Sequence, residues 1–390
     1  FVYYIDDENG NAVSYQTPLT QLGNYFEQIA SGYYNKIDGT QQTKIYYSQF
    51  IQRIEVVVAD GLSEETATRI YNSTQLENIQ TNRHYELMNS ITLSNWQSLA
   101  ALTGSLRGTD ENVVISFTGT SQPLFESIGE GGRVRQFRVI GNVTGGGFIA
   151  NENNGEISNI TVGVDSTGET VAPSKVTGKE IADTAVYAGA IVGYNTGSIT
   201  DVRVEGASVE IAGNSYAGMI AGYNSGTITN AYAEFYIFSS STTGDGEDAV
   251  TTNQTNTISG QYVGGFVGYM AGGEISHSYV YNYNLSGTTQ ATLPLQCTTG
   301  GAVGAFAGYV DGGRVYNSFS MIFATENDGL SEVGEEAEGA TFTTTDVYWG
   351  YGSNRERINN SNNWIYQADT NNFQSYVRNG ESHLTFYQEQ

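Results

Sequence analysis

The sequence predicts a mainly β protein, a right-handed parallel β-helix or closely related β-solenoid with a small α+β module at its N-terminus. Three observations carry this. A glycine-punctuated segment recurs five times between residues 146 and 320. No amphipathic helix of useful length is legible after residue 100. The 390 residues include 48 Gly, only 4 Pro and 12% aromatic side chains, which suits many short strands joined by tight turns. A hydrophobic fraction of 39% is low for a thick globular core but fits a thin coil filled by small residues.

Residues 1–82 are poor in glycine and read as the α+β module or cap. Residues 1–5 (FVYYI) and 51–58 (IQRIEVVV) read as strands, the first followed by a turn at Asp6 to Gly10. Thr17-Pro18 reads as a helix entry. Leu19, Leu22, Tyr25, Phe26 and Ile29 then share one face, with Gly32 as the stop. A second helix is expected from Ser63, with Glu65 near a capping-box position, through Ala67, Ile70 and Leu76.

From residue 83 the pattern changes to short strands, among them residues 91–93, 113–117 and 134–139. The repeats occupy residues 146–162, 189–204, 218–233, 264–280 and 304–320, with a divergent copy at 124–139. Each opens on an apolar strand and usually continues with Gly-Tyr, as at Gly193-Tyr194, Gly222-Tyr223, Gly268-Tyr269 and Gly308-Tyr309. A tight turn follows and closes on Gly155, Gly197, Gly226, Gly273 or Gly313, where positive φ is expected. Apolar or small residues then recur at a step of three and a step of two, as in Ile157, Ile160 and Val162 or Ile199, Val202 and Val204. A step of three inside a strand pattern implies a bend that keeps both strands facing inward. One such unit cannot bury its own apolar face, and stacked copies can. Val134, Ile157, Ile199, Ile228, Ile275 and Val315 are the expected anchors. Residues 164–186, 239–262 and 283–302 are expected to be loops or added strands on one side of the coil.

These repeats resemble the GLUG motif, through residues 189–193 (GAIVG), 218–222 (GMIAG), 264–268 (GGFVG) and 304–308 (GAFAG), with substitutions at the Leu position. The stretch from Tyr85 to Trp96 and residues 104–108 (GSLRG) resemble the lead-in to such repeats. The resemblance covers residues 83–320 and implies a secreted or surface-anchored bacterial protein, adhesin-like or a non-catalytic part of a metallopeptidase that cleaves immunoglobulin A.

Charge and motifs narrow the chemistry. With 16 Lys+Arg against 41 Asp+Glu the net charge is -25, which disfavours nucleic acid and anionic membranes as partners. Cys297 is the single cysteine, so no internal disulfide forms, and it reads as a lone thiol. His84, His277 and His383 are far apart and none lies in HExxH, so a zinc peptidase centre is not expected in this chain. The Gly-x-Gly patterns belong to the repeat and not to a phosphate loop. No apolar run approaches a membrane span. The start at Phe1, without Met or a signal peptide, reads as a mature product or an excised fragment. Arg133, Arg135 and Arg138 read as a cross-coil salt-bridge row in preference to a substrate clamp.

No catalytic residue and no cofactor are assigned. Calcium at Asp245, Glu247 and Asp248 is the one metal alternative, set against a solvated acidic loop. Most tyrosines are expected to form stacked ladders. Tyr348, Trp349, Tyr351, Trp364 and Tyr366, mixed with Asn and Gly, are the candidate platform for a glycan or protein ligand. Residues 83–320 are thus the solenoid, and residues 321–390 a degenerate coil with a C-terminal cap or a truncated continuation. The function expected is that of an extracellular or cell-surface adhesin-like structural or binding protein, with self-assembly through an end coil as a further option. The alternatives are a non-catalytic region of a secreted immunoglobulin A peptidase and a polysaccharide-active β-helix enzyme.

Overall fold

The computed structural model describes residues 2–6, 12–16, 51–55, 59–164, 172–178, 185–235, 237–243, 250–282, 289–291, 294–322, 331–350, 373–378 and 381–386. The chain divides into two compact units, Phe1–Thr68 and Arg69–Gln390. In the first, Val2–Asp6 pairs antiparallel with both Ala12–Gln16 and Ile51–Glu55. The helix expected at residues 17–32 lies outside the described residues.

The helix expected from Ser63 is not formed there. The Ser63 hydroxyl accepts from the Thr66 amide at 3.3 Å, and the Thr66 hydroxyl accepts from the Ser63 amide at 3.2 Å. Asp60 fixes the same turn, its Oδ1 accepting from the Thr66 hydroxyl at 2.7 Å and the Leu62 amide at 3.0 Å. Short polar side chains have thus taken the backbone groups a helix would need. The helix comes later and is short, Ser73–Glu77. Asn72 Oδ1 caps it by accepting from the Gln75 amide at 3.0 Å, while Gln75 Oε1 accepts from the Tyr71 amide at 2.6 Å.

The second unit is a β-solenoid whose strands pair in parallel from coil to coil. One full coil comprises Ala207–Glu210, Ser215–Gly218, Ala221–Asn224, Thr227–Thr229 and Tyr232–Phe235. The six anchors stand in register, Val134 to Ile157, Ile199, Ile228, Ile275 and Val315, and the column begins two coils earlier with Tyr85 and Leu106. A second column runs Ile91, Ile115, Val139, Val162, Val204, Ala233 and Val280. A third, on the opposite sheet, runs Val143, Val176, Val209, Ile258 and Leu295. All of these side chains are buried. Each buried Val, Ile or Leu contributes about 1.5–3 kcal/mol, so a thin core still accumulates stability with every added coil.

The bend inferred from the step of three is formed by one residue in the left-handed region. Asn159, Asp201, Asn230, His277 and Asn317 occupy it on successive coils at φ of 49°, 56°, 52°, 50° and 47°. Asn and Asp tolerate this region because their short polar side chains bond locally. Here they also bond between coils, Asn230 Nδ2 donating to Asp201 Oδ1 at 3.0 Å.

Positive φ accounts for only part of the turn-glycine column. Gly273 and Gly313 have it, at 70° and 104°, but Gly155, Gly197 and Gly226 do not. These three are required by close approach. A Cβ on Gly197 would lie 2.3 Å from the Gly155 carbonyl oxygen, and one on Gly226 would lie 2.1 Å from that of Gly197.

Ser174–Thr177, Ile258–Gly264 and Leu295–Gly304, inside or across segments expected as insertions, are rungs of the second sheet. Ser174–Thr177 and Leu295–Gly304 bury few apolar side chains among polar or glycine neighbours, so their apolar signal is weak. A genuine addition is a small separate sheet in which Val250–Thr255 pairs with Ile237–Thr243 and Thr289–Ala291. Beyond the last repeat, Val333–Gly350 pairs in parallel with Ala307–Met321 as a further rung, and Phe373–Arg378 forms a hairpin with Glu381–Phe386.

Candidate ligand-binding surface

The Gly-x-x-x-Gly core of the last four repeats folds as a tight corner at which two strands meet without side chains between their backbones. A Cβ on Gly222 would fall 2.2 Å from the Ala188 nitrogen, and one on Gly268 or Gly308 would fall 2.6 Å from the nitrogen of Ala217 or Val263. Inside the corner, Ile191, Ile220, Phe266 and Phe306 are fully buried, with the two Phe rings stacked at 4.7 Å.

Flanking the corner, two rows of half-buried tyrosines stand side by side. Tyr187, Tyr216 and Tyr262 pair in register on the strands before it. Tyr194, Tyr223, Tyr269 and Tyr309 pair in register on the strands after it. Tyr194 stacks on Tyr223 at 3.9 Å, and Tyr216 on Tyr262 at 4.9 Å. Between the rows, Tyr187 meets Tyr223 edge-on at 5.3 Å and Tyr262 meets Tyr309 edge-on at 5.2 Å. Alternating stacked and edge-on contacts satisfy the ring quadrupoles, so the seven rings form one cohesive aromatic face. The Gly-Tyr row is legible in the repeat. The other row carries a fainter signal, a Tyr two residues before the first corner glycine, at Tyr187-Ala-Gly189, Tyr216-Ala-Gly218 and Tyr262-Val-Gly264.

Packing raises the pKa of five of these phenols. The hydrogen bond with Tyr223, and then burial, push Tyr194 up to about 12. Burial, and then the neighbouring Tyr187, push Tyr216 up to about 12. Tyr187 and Tyr262 are also raised, mainly by burial, and so is Tyr269, by burial and by Asp311, whose Oδ2 accepts from its hydroxyl at 3.3 Å. An unfolded tyrosine titrates near 10. As the pH rises past that value the unfolded chain releases these protons before the folded one does. The stability they confer is therefore complete below pH 10 and is lost as the pH climbs through about 12. Melting temperature is expected to fall across that window. Replacing Tyr194, Tyr216 and Tyr269 with Phe should flatten the fall, and an unchanged slope in that variant would refute the assignment.

At the N-terminal end of the aromatic face lies a groove of about 570 Å³. Its lining includes Tyr187 and Tyr194, the backbone of Gly145 and Gly146, and the polar side chains of Gln122, Glu126, Asn151 and Glu152. Asn151 Nδ2 donates to Glu126 Oε2 at 2.9 Å, while Asn151 Oδ1 accepts from the Gly146 amide at 2.7 Å. Gln122 Oε1 accepts from the Ser98 amide at 3.2 Å. Glu126 and Glu152 are exposed, and neither pairs with a base among the described residues. The groove thus combines ring faces with acceptor-rich, negatively charged polar groups at a size typical of small-ligand clefts.

Of the ligand-binding residues expected from sequence, two are among the described residues. Tyr348 and Trp349 fall on Val333–Gly350, in register with Phe319 and Ser320. Tyr351, Trp364, Tyr366 and the calcium candidates Asp245, Glu247 and Asp248 lie outside the described residues. Among the described residues no group of three His, Cys, Asp or Glu is placed to hold a metal, and no helix is long and apolar enough to cross a membrane. The repeat glycines Gly193, Gly197, Gly222, Gly226, Gly268, Gly273, Gly308 and Gly313 occupy the corner and turn columns. Cys297 is an exposed free thiol. The arginines do form cross-coil ion pairs, Arg133 with Glu156 at 3.4 Å and Arg138 with Glu205 at 3.7 Å. Glu205 and Glu234 are in register on neighbouring coils at 3% and 1% exposure, closed off from solvent, with the Tyr279 hydroxyl donating to Glu234.

Neither a family model nor a curated protein matches the chain. Solved structures similar to it include two proteases. One is a candidate immunoglobulin A1 protease from Bacteroides ovatus, with a TM-score of 0.46 and 18% identity over 82% of this chain and 91% of that one. The other is an IgA1 protease, with a TM-score of 0.43 and 15% identity over 79% of this chain. This chain spans 23% of its length.

Proposed function

We propose that the chain is a non-catalytic β-solenoid, presented outside a bacterial cell, that binds carbohydrate along its tyrosine face. The observation that carries this reading is the seven-ring surface continuous with a polar groove. Partly exposed aromatic rings beside fixed amides and carboxylates suit the apolar faces and hydroxyl edges of pyranose rings. The repeating coil sets neighbouring rungs about 4.8 Å apart, so a linear polymer meets several rings at once.

The same module serves either as a free-standing adhesin or as the non-catalytic region of a secreted immunoglobulin A peptidase. The second placement is the one whose name the solved structures compared above carry. Sequencing the full precursor separates them, since a downstream HExxH would establish the peptidase.

Affinity electrophoresis through gels cast with neutral, amine-bearing or uronic-acid polysaccharides tests the binding itself. Retardation is expected in at least one gel, and the double variant Tyr194→Ala/Tyr223→Ala should weaken it about tenfold or more. Unretarded migration in every gel would defeat the reading, as would release of reducing ends from any polysaccharide by the purified protein.

A further inference from the structure

We infer that the groove at the N-terminal end of the tyrosine face is a sugar subsite that selects by charge, accepting neutral or amine-bearing pyranoses and rejecting uronic and sialic acids. This deepens the proposal that the tyrosine face binds carbohydrate and rests on it. Two independent features point the same way.

The first is geometric. The groove is continuous with the aromatic face through Tyr187 and Tyr194, whose rings meet at 5.7 Å and 71°. One ring therefore lies nearly perpendicular to the other, which gives a stacking face and a side wall within one cleft. Gly145, Gly146 and Gly193 line it with backbone, packed too closely against neighbouring strands to carry side chains. A Cβ on Gly146 would lie 2.9 Å from the Asn151 Cα, and one on Gly193 would lie 2.7 Å from the Tyr187 carbonyl oxygen.

The second is electrostatic. The charged side chains on the lining, Glu126 and Glu152, are both acidic. Asn151 is held between Glu126 and the Gly146 amide, so its amide nitrogen is already committed to a carboxylate. The Gln122 amide, whose Oε1 is taken by the Ser98 N–H, keeps N–H donors for neutral oxygens, while the charge in the groove is all carboxylate and suits sugar hydroxyls and ammonium groups as donors. A carboxylate on the ligand would be repelled by both glutamates inside a chain of net charge -25. An ammonium would be drawn to them and to the ring faces.

The test compares three soluble polysaccharides of like length by affinity electrophoresis and calorimetry: a neutral β-glucan, chitosan and alginate. The expected order is chitosan tightest, neutral glucan next and alginate undetectable, with the gap between chitosan and glucan narrowing as salt is raised. The variant Glu126→Gln/Glu152→Gln keeps the acceptor that Asn151 uses. It should bring chitosan down to the level of the variant's own glucan binding, so the ratio of the two affinities is the readout. Alginate bound as well as glucan by the wild type, or an unchanged chitosan preference in the variant, overturns the charge-selective subsite while leaving tyrosine-face binding intact. If none of the three polymers binds, the tyrosine-face reading itself has failed, and the subsite with it. Circular dichroism and melting of the variant confirm that the coil is preserved, since both glutamates are exposed.

Discussion

Gly222→Ala is expected to destabilise the solenoid by about 3 kcal/mol or more, a large effect for a single added methyl group. The new Cβ would sit 2.2 Å from the Ala188 nitrogen, 2.6 Å from the Tyr187 carbonyl carbon and 2.8 Å from the Gly193 carbonyl oxygen. All three neighbours are backbone, so no side chain can swing away. Relief requires the two strands of the corner to separate, which opens the packing around Ile191 and Ile220 and breaks the register of Tyr187 with Tyr216. The control is Gly272→Ala. Its Cβ would meet only the Ser225 Cβ at 3.9 Å, an ordinary contact, and its φ is not positive, so a change within about 0.5 kcal/mol is expected. Thermal melting and limited proteolysis read both. Equal effects of the two substitutions would mean that the corner tolerates separation and that the Gly-x-x-x-Gly spacing is not a packing requirement.

The repeat was legible because its physical demands are strict and recur. Only glycine fits a backbone-on-backbone corner, and a buried β-branched residue fills the column at Ile157, Ile199 and Ile228. The bend followed from spacing alone, and it is where Asn159, Asp201 and Asn230 adopt positive φ. What sequence reading missed was carried by weaker or displaced signals. The rung Ser174–Thr177 buries Val176 as its one apolar side chain, so its alternation is too short to stand out from a loop. Ser63 and Glu65 resemble a helix start, yet the turn formed with Asp60 and Thr66 is satisfied locally, and the cap forms at Asn72 instead. The candidate surface was half legible. Gly-Tyr repeats pointed to one tyrosine row, whereas the groove joins residues from Ser98 to Tyr194 that only the winding of the coil brings together.

Asn195→Leu is expected to cost about 3–5 kcal/mol, more than a comparable loss of surface hydrogen bonds, because it breaks the centre of a buried amide ladder. Asn153, Asn195 and Asn224 are fully buried and in register. Asn153 Nδ2 donates to Asn195 Oδ1 at 2.7 Å, and Asn195 Nδ2 donates to Asn224 Oδ1 at 2.7 Å. The ladder also fastens the turns, the Gly155 amide donating to Asn153 Oδ1 and Asn224 Nδ2 donating to the Gly226 carbonyl. Removing the middle amide leaves a donor on one side and an acceptor on the other with no water to replace it. The same column shows how an apolar solution looks, because it passes through Ile128 before the ladder and Met270 and Val310 after it, all buried. The triple variant Asn153→Val/Asn195→Leu/Asn224→Met should therefore lose less than the sum of its single substitutions, since no amide partner is then stranded. Chemical denaturation of the three single variants and the triple decides the matter. Strict additivity would show that the three amides act independently and that the ladder is a by-product of register. A triple variant more stable than Asn195→Leu alone would show that the network, once begun, has to run unbroken between its two apolar ends.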